Sequence, residues 1–173
     1  PGYALHIRDK IFFPMPESTS MMQHFTFIRH GESVGNFENR FQGQADFPLT
    51  GLGRSQAQAV AEKWRENART FQRAISSPLL RARETAEIIC AALQSPLEFD
   101  QDWMEIDNGL ISGLSVEEAM QNFPKPPYLT PYTRYGQTGE SRWQLYLRAG
   151  RAIQHLLDHP AVVELEATAV VPA

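Results

Sequence analysis

Twice in this chain a short β-branched or aromatic run halts at a charged turn and gives way to a helical pattern. Phe25-Thr26-Phe27-Ile28 stops at Arg29-His30-Gly31. Arg73-Ala74-Ile75-Ser76-Ser77 stops at Pro78, with Arg81 close behind. A run apolar on both faces suits a strand in a covered sheet. Strands alternating with helices predict an α/β fold with a mainly parallel sheet. In such folds, sites form where strands end and helices begin.

The remaining pattern fills in this frame. Thr50 can cap a helix to about Asn67, with Leu52, Ala57, Val60, Ala61 and Trp64 on its apolar face. Pro78 opens a second helix to about Gln94, since proline at a first helical position loses no hydrogen bond. Its apolar side is Leu79, Ala82, Ala86, Ile89 and Leu93, and Leu97-Glu98-Phe99 is a third strand. Ser115-Val116-Glu117-Glu118 is a capping box that starts a short helix ending near Phe123. Four prolines and three tyrosines mark 124–136 as a stiff loop. Ser141 can cap a last helix to about Asp158, with Trp143, Leu147, Gly150, Ile153 and Leu157 on one face. Val162 to Val171 is a strand region interrupted by Glu164 and Glu166. Residues 1–21 read as an N-terminal extension and 22–173 as one domain.

Composition excludes several classes. The 173 residues carry 16 Lys and Arg against 20 Asp and Glu, a net charge of −4. Such a surface does not attract nucleic acid or anionic lipid by bulk charge, so an anion site must be a local basic pocket. The single cysteine, Cys90, allows no internal disulfide and no cysteine metal cage, and fits a reducing, cytoplasmic setting. No apolar run approaches the roughly 18 residues of a membrane span.

Three places carry chemistry. Arg29-His30-Gly31-Glu32-Ser33 puts a histidine at a strand exit beside a permanent cation suited to phosphate oxygens. Gly31 lets backbone and ligand approach, and Ser33 adds a donor. A neutral imidazole is a nucleophile toward phosphorus, and nearby guanidinium charge disfavours the imidazolium. The alternative is a histidine hydrogen-bonded in a helix-capping turn. Arg81 sits early in a helix after a strand, where the helix N-terminus favours an anion. The alternatives are a surface arginine paired with Glu84 or Glu87, or Arg83 in the pocket instead. Glu105, ahead of Gly109 and Gly113, can protonate a departing alkoxide. The alternative is a solvated acidic loop with Asp102 and Asp107. In the stiff loop, Tyr128, Tyr132 and Arg134 are candidates for substrate contact. His155 and His159, four residues apart, read as a solvated helix end rather than a metal pair.

Taken in order, these segments resemble the histidine phosphatase superfamily, the phosphoglycerate mutase-like proteins. The resemblance runs from about Phe25 to Pro160. It includes Arg29-His30-Gly31-Glu32-Ser33 with Asn36, then Asn39-Arg40-Phe41-Gln42-Gly43 and Pro48-Leu49-Thr50. Ser77-Pro78-Leu79-Leu80-Arg81, the Glu105 loop and Gly139-Glu140-Ser141 follow. It implies a three-layer sandwich with helices on both faces of the sheet. It implies that His30 becomes a phosphohistidine and that Arg29 and Arg81 clamp the equatorial oxygens. Glu105 then protonates the leaving oxygen and activates water, while Ser33, Asn36, Gln42 and Gly43 line the substrate side. No metal and no cofactor are implied, and the partner is a small phosphorylated metabolite. A homodimer is compatible with it.

One departure stands out. The family carries a second histidine in a Ser-His-Gly setting, expected here at or just past Ala173, after Ala169-Val170-Val171. Losing one such donor costs roughly 10²–10³ in rate by analogy with oxyanion-hole deletions. The expectation is a C-terminally incomplete chain, feeble or inactive as it stands. Restoring the missing segment should raise phosphatase turnover. Three readings follow: a phosphatase for small phosphomonoesters, a phosphoglycerate mutase, or a non-catalytic phospho-ligand module. The mutase reading is weakened because the acid loop reads Glu105-Ile106-Asp107-Asn108 and Arg134 and Arg142 stand singly.

Overall fold

A computed structural model describes residues 7–8, 24–124, 127–158 and 164–167. Strand β2 (His24–Ile28) is the spine. It pairs antiparallel with β1 (Ile7–Arg8) on one side and parallel with β5 (Glu164–Ala167) on the other. Strand β3 (Ala74–Ser76) pairs parallel with β4 (Leu97–Phe99) and lies against β5. Of residues 1–21, the described pair Ile7–Arg8 joins the sheet beside β2.

The alternation along β2 sorts its side chains onto two cores. Phe25 and Phe27 point to one face, where Ile75, Trp103, Ala152, Leu156 and Leu157 complete a cluster. Ile28 points to the other, with Ala61, Trp64, Phe71, Ile89 and Leu93. Successive strand residues face opposite sides, so each face is covered by helix. Helices α2 (Gly51–Glu66) and α3 (Leu80–Leu93) lie on one face, α5 (Arg142–Asp158) on the other. This is the expected α/β sandwich.

Local signals explain the boundaries. Thr50 caps α2, its Oγ1 accepting from the Gly53 N–H at 3.0 Å. The capping box at Ser115 and Glu118 is present and starts α4 (Val116–Asn122). Ser141 caps α5, its Oγ accepting from the Gln144 N–H at 3.2 Å. A short helix α1 (Val34–Phe37) follows the histidine turn and is capped by Ser33.

Three expectations are corrected. Helix α3 begins at Leu80 rather than at Pro78. Its first N–H donates to Asp46 Oδ1 at 2.6 Å, so a loop carboxylate takes the place of a local cap. The buried side of α5 is also different. Ala152 and Leu156 are buried, whereas Trp143, Leu147 and Ile153 are exposed. Leu52, assigned to the apolar face of α2, is exposed too, and Gly53 is buried in that part of the helix. The 124–136 loop contains no helix or strand among its described residues, and its Tyr132 ring stacks on Trp143 with centroids 5.8 Å apart. Of the 162–171 strand region only Glu164–Ala167 is described, and the position expected for a second histidine lies outside the described residues.

Candidate active site

His30 stands two residues past the end of β2 and is buried. Its Nδ1 lies 2.6 Å from the Gly31 carbonyl oxygen. A carbonyl only accepts, so Nδ1 carries the proton and the Nε2 lone pair is left for chemistry. The imidazole is pulled down to a pKa of about 4, first by burial. The Gly31 bond opposes that shift, and the charges of Arg81 and Arg29 add to it. The ring is a neutral base at ordinary pH.

The turn holding His30 is wedged in place by close backbone approach. A Cβ on Gly31 would lie 2.4 Å from the Gly53 carbonyl oxygen, and one on Gly53 would lie 2.1 Å from that of Glu32. Only this pair of glycines lets the first turn of α2 sit against the histidine turn. The Gly31 N–H donates to Thr85 Oγ1 at 3.1 Å, and that hydroxyl donates to the Arg81 carbonyl at 2.7 Å. Thr85 thus ties the histidine turn to α3.

Arg81 is 2% exposed and reaches back over the 41–46 loop. Its Nη2 donates to the Gly43 carbonyl at 2.7 Å and its Nη1 to that of Ala45 at 3.1 Å. Gly43 adopts φ +50, and a Cβ there would strike the Asn108 side chain at 2.8 Å. A guanidinium carries five N–H groups, so two carbonyl bonds leave others for an anion. The surface alternatives do not hold for Arg81. It is Arg83 that pairs with Glu87, at 2.7 Å, while Glu84 pairs with Arg54 at 2.8 Å.

Glu105 closes the cluster. Its Oε1 accepts from the Ile106 N–H at 2.9 Å, and its carbonyl accepts from Gln44 Nε2 at 3.1 Å. Burial pushes its carboxyl above the usual carboxylate range, against the Ile106 bond and the charges of Arg81, Arg29 and Arg148. The acidic-loop alternative fails for the same reason: this carboxyl is not a solvated one. Arg29 is exposed, yet its charge acts on His30, Arg81 and Glu105 alike.

The remaining candidates separate into two groups. Ser33, Asn36 and Gln42 interlock: Ser33 Oγ lies 2.8 Å from Asn36 Oδ1 and 2.6 Å from Gln42 Oε1. A hydroxyl has one proton, so one amide must turn its NH₂ toward Ser33. Arg134, by contrast, is exposed, and its backbone bridges that of Ser141. Tyr128 and Tyr132 are exposed as well. Sequence reasoning missed Gln44 and Arg148, which act on Glu105 through its backbone carbonyl. For Arg148 a signal exists: Leu145, Arg148, Ala152 and Leu156 share one face of α5 at helical spacing.

Chemically, the cluster pairs an imidazole nitrogen left unprotonated with a carboxyl that burial biases toward its protonated form, and sets guanidinium charge close to both. Known proteins share this chain's sequence pattern and fold. Residues 25–165 match the model of the histidine phosphatase superfamily, branch 1. A probable phosphoglycerate mutase, GpmB, of Citrobacter koseri is 36% identical over 138 residues, covering 77% of this chain and 62% of the relative. The chain therefore spans less than two thirds of the length of such relatives. Among solved structures, Bacillus stearothermophilus YhfR shares 31% identity with a TM-score of 0.73, covering 83% of this chain and 72% of that one. A mycobacterial glucosyl-3-phosphoglycerate phosphatase, solved with VO3, shares 25% identity with a TM-score of 0.70 over 83% of this chain and 72% of its own. A putative α-ribazole-5'-P phosphatase of Escherichia coli, at 23% identity and a TM-score of 0.75 over 85% of this chain and 73% of its own, shares the fold. With the motifs in order, the cluster assembled and most of the domain matched, the chain belongs to the histidine phosphatase superfamily.

Proposed function

We propose that this domain hydrolyses small phosphomonoesters through a phosphohistidine on His30. The observation that carries the reading is the opposed displacement of two groups in one cluster. His30 is held below its ordinary value and Glu105 above its own. Pairs pushed apart in this way suit nucleophile and acid roles at neutral pH.

Nε2 of His30 forms a bond to phosphorus as the bond from phosphorus to the ester oxygen breaks. Glu105 gives its proton to that oxygen, and the alcohol leaves. The Glu105 carboxylate then takes a proton from water as the water oxygen attacks phosphorus. Inorganic phosphate departs and His30 is regenerated. Arg81 and Arg29 stabilise the charge that gathers on the equatorial oxygens. Arg134, Tyr128 and Tyr132 are assigned to substrate choice, so changing Arg134 should alter KM among substrates while phosphoenzyme still forms.

The test is intact-protein mass spectrometry after a rapid alkaline quench, in which an N-phosphoryl bond survives. The expected result is a gain of one phosphoryl group that His30→Ala abolishes. Anion binding without that gain would favour a phospho-ligand module. The mutase reading is kept because relatives such as that of Citrobacter koseri bear that name. It predicts isomerisation of a phosphoglycerate primed by 2,3-bisphosphoglycerate, where a phosphatase gives free phosphate alone.

A further inference from the structure

Arg148 lies on α5, one element removed from the reacting groups, and is nearly enclosed. Its side chain and that of Glu140 are each 13% exposed. The two meet fork to fork: Nε donates to Glu140 Oε1 at 3.0 Å and Nη2 to Glu140 Oε2 at 2.7 Å. The same guanidinium also reaches backbone. Nη1 donates to the carbonyls of Asp102 at 3.0 Å and Met104 at 2.7 Å, and Nη2 to that of Glu105 at 3.3 Å. Glu140 grips the other side of this segment. Its Oε2 accepts from the Asp107 N–H at 3.4 Å, and its own N–H donates to the Asp107 carbonyl at 2.8 Å.

The segment carrying Glu105 is therefore held before and after that residue by one ion pair. Packing a helix on a sheet does not call for this. An apolar pair of equal volume is often as stable as a buried ion pair. What the fork adds is direction, because each N–H fixes one carbonyl. Among the described residues, the Glu105 carboxyl itself is anchored locally, to the Ile106 N–H. Its place thus follows the backbone that Arg148 holds.

We propose that Arg148, clamped by Glu140, is a positioning residue that sets where the Glu105 carboxyl meets the leaving oxygen. This rests on the reading of Glu105 as proton donor. Arg148 acts through Glu105 and has no chemical step of its own.

The test uses Arg148→Met and Arg148→Lys in this chain with two phosphomonoesters. One is an aryl ester whose phenolate departs unaided; the other is an alkyl ester whose alkoxide needs a proton. Lysine keeps the charge but cannot span a carboxylate fork and three carbonyls, and it guards against misfolding of the methionine variant. Both variants should lose about 10²-fold in kcat/KM on the alkyl ester and under about 3-fold on the aryl ester, because kcat/KM reports the transfer to His30, in which only the alkyl leaving group needs the Glu105 proton, and not the later hydrolysis common to both. Equal losses on both esters, or no loss, would overturn the proposal. A second measurement needs no turnover: titration of the Glu105 carboxyl by carbon NMR. The charged groups acting on it are Arg81 from α3, Arg29 from the end of β2 and Arg148 from α5. Arg148→Met should move the Glu105 midpoint upward and Arg148→Lys should broaden its signal over several positions. An unmoved midpoint together with one sharp signal in the lysine variant would overturn it. A native chain that hydrolyses neither ester counts against the phosphatase reading, and the titration still decides the part played by Arg148.

Discussion

His30 and Glu105 are displaced in opposite directions by the same cause, burial. This has a consequence for stability as well as for activity. The folded imidazole has a pKa of about 4 against 6.5 for the ordinary group. Between those values the unfolded chain binds a proton that the folded chain refuses. The stabilising contribution is therefore full above the unfolded pKa and is lost as pH falls toward 4, by up to about 3 kcal/mol. Glu105 works in the other sense, since its raised value favours the fold below the ordinary carboxylate pKa and is lost as pH rises through the folded one. Urea unfolding at pH 7 and pH 5 should show the native chain losing more stability on acidification than His30→Asn. An equal loss in both would contradict a buried neutral ring. For turnover, kcat/KM should follow a bell with its acid limb near pH 4 and its basic limb above the ordinary carboxylate range. Much of this was legible in the sequence, because strand exits announce themselves through an abrupt end of apolar residues. The residue pattern left Arg83 open beside Arg81 and the resemblance picked Arg81; two residues along a helix turn a side chain to the opposite side, so the two cannot share the role. Gln44 and Arg148 were hidden for a different reason. Gln44 meets a backbone carbonyl, which leaves no trace in residue types, and Arg148 shows only as a charged position on the buried stripe of α5, with nothing in its spacing to name the carbonyls it holds.

At the scale of elements, the junction between the histidine turn and α2 is a close backbone contact beside the site. A methyl group at position 53 would sit 2.1 Å from the Glu32 carbonyl oxygen, which is backbone and cannot rotate away. Gly53→Ala should cost roughly 1–3 kcal/mol as the helix start is pushed off the turn. Phosphoenzyme formation should slow with it, because Glu32 and Thr50 are hydrogen-bonded across the same seam. Denaturant melts and the mass-spectrometric label read the two effects separately. Helix α5 shows where sequence pattern misleads. It has two apolar stripes, one with Trp143, Leu147 and Ile153, the other with Leu145, Ala152 and Leu156. Side-chain bulk selects the first; the structure buries the second, because Arg148 belongs to that stripe and has its carboxylate and carbonyl partners there. The register is testable. Leu156→Ala should cost about 2–5 kcal/mol, whereas Leu147→Ala, at a residue 51% exposed, should change stability by no more than about 0.5 kcal/mol. Reversed magnitudes would mean that α5 is rotated about its axis. The late start of α3 has the same lesson in it: Asp46, far away in sequence, supplies the acceptor that a local cap would have given.

Across the whole molecule, the site exists only because separate crossovers end at the same place. His30 follows β2, Arg81 follows β3 and Glu105 follows β4, with β3 and β4 parallel and β2 parallel to β5. Open sheets of this kind gather ligands beyond the carboxyl ends of their strands. The chain carries a net charge of −4, so its surface as a whole repels anions. The crevice does the reverse, with Arg29 and Arg81 both acting on Glu105 and His30. An anion seated there draws together the histidine turn, the 41–46 loop and α3, none of which is in place in the unfolded chain. Folding and anion binding must then be linked. At a vanadate or phosphate concentration of 100 times Kd the linkage is worth about 2.7 kcal/mol. For a domain of this size that is a rise in Tm of roughly 5–10 °C. Arg81→Met should abolish the rise. Its own Tm should also start lower, since the carbonyls of Gly43 and Ala45 lose their donor, so the increment on adding anion is the quantity to compare. A native chain with no increment, or a variant with the full one, would place the anion somewhere other than between His30 and Arg81. Sulfate should produce a smaller rise than vanadate, because only vanadate can expand to the five-coordinate form that the roles proposed for His30, Arg29, Arg81 and Glu105 require.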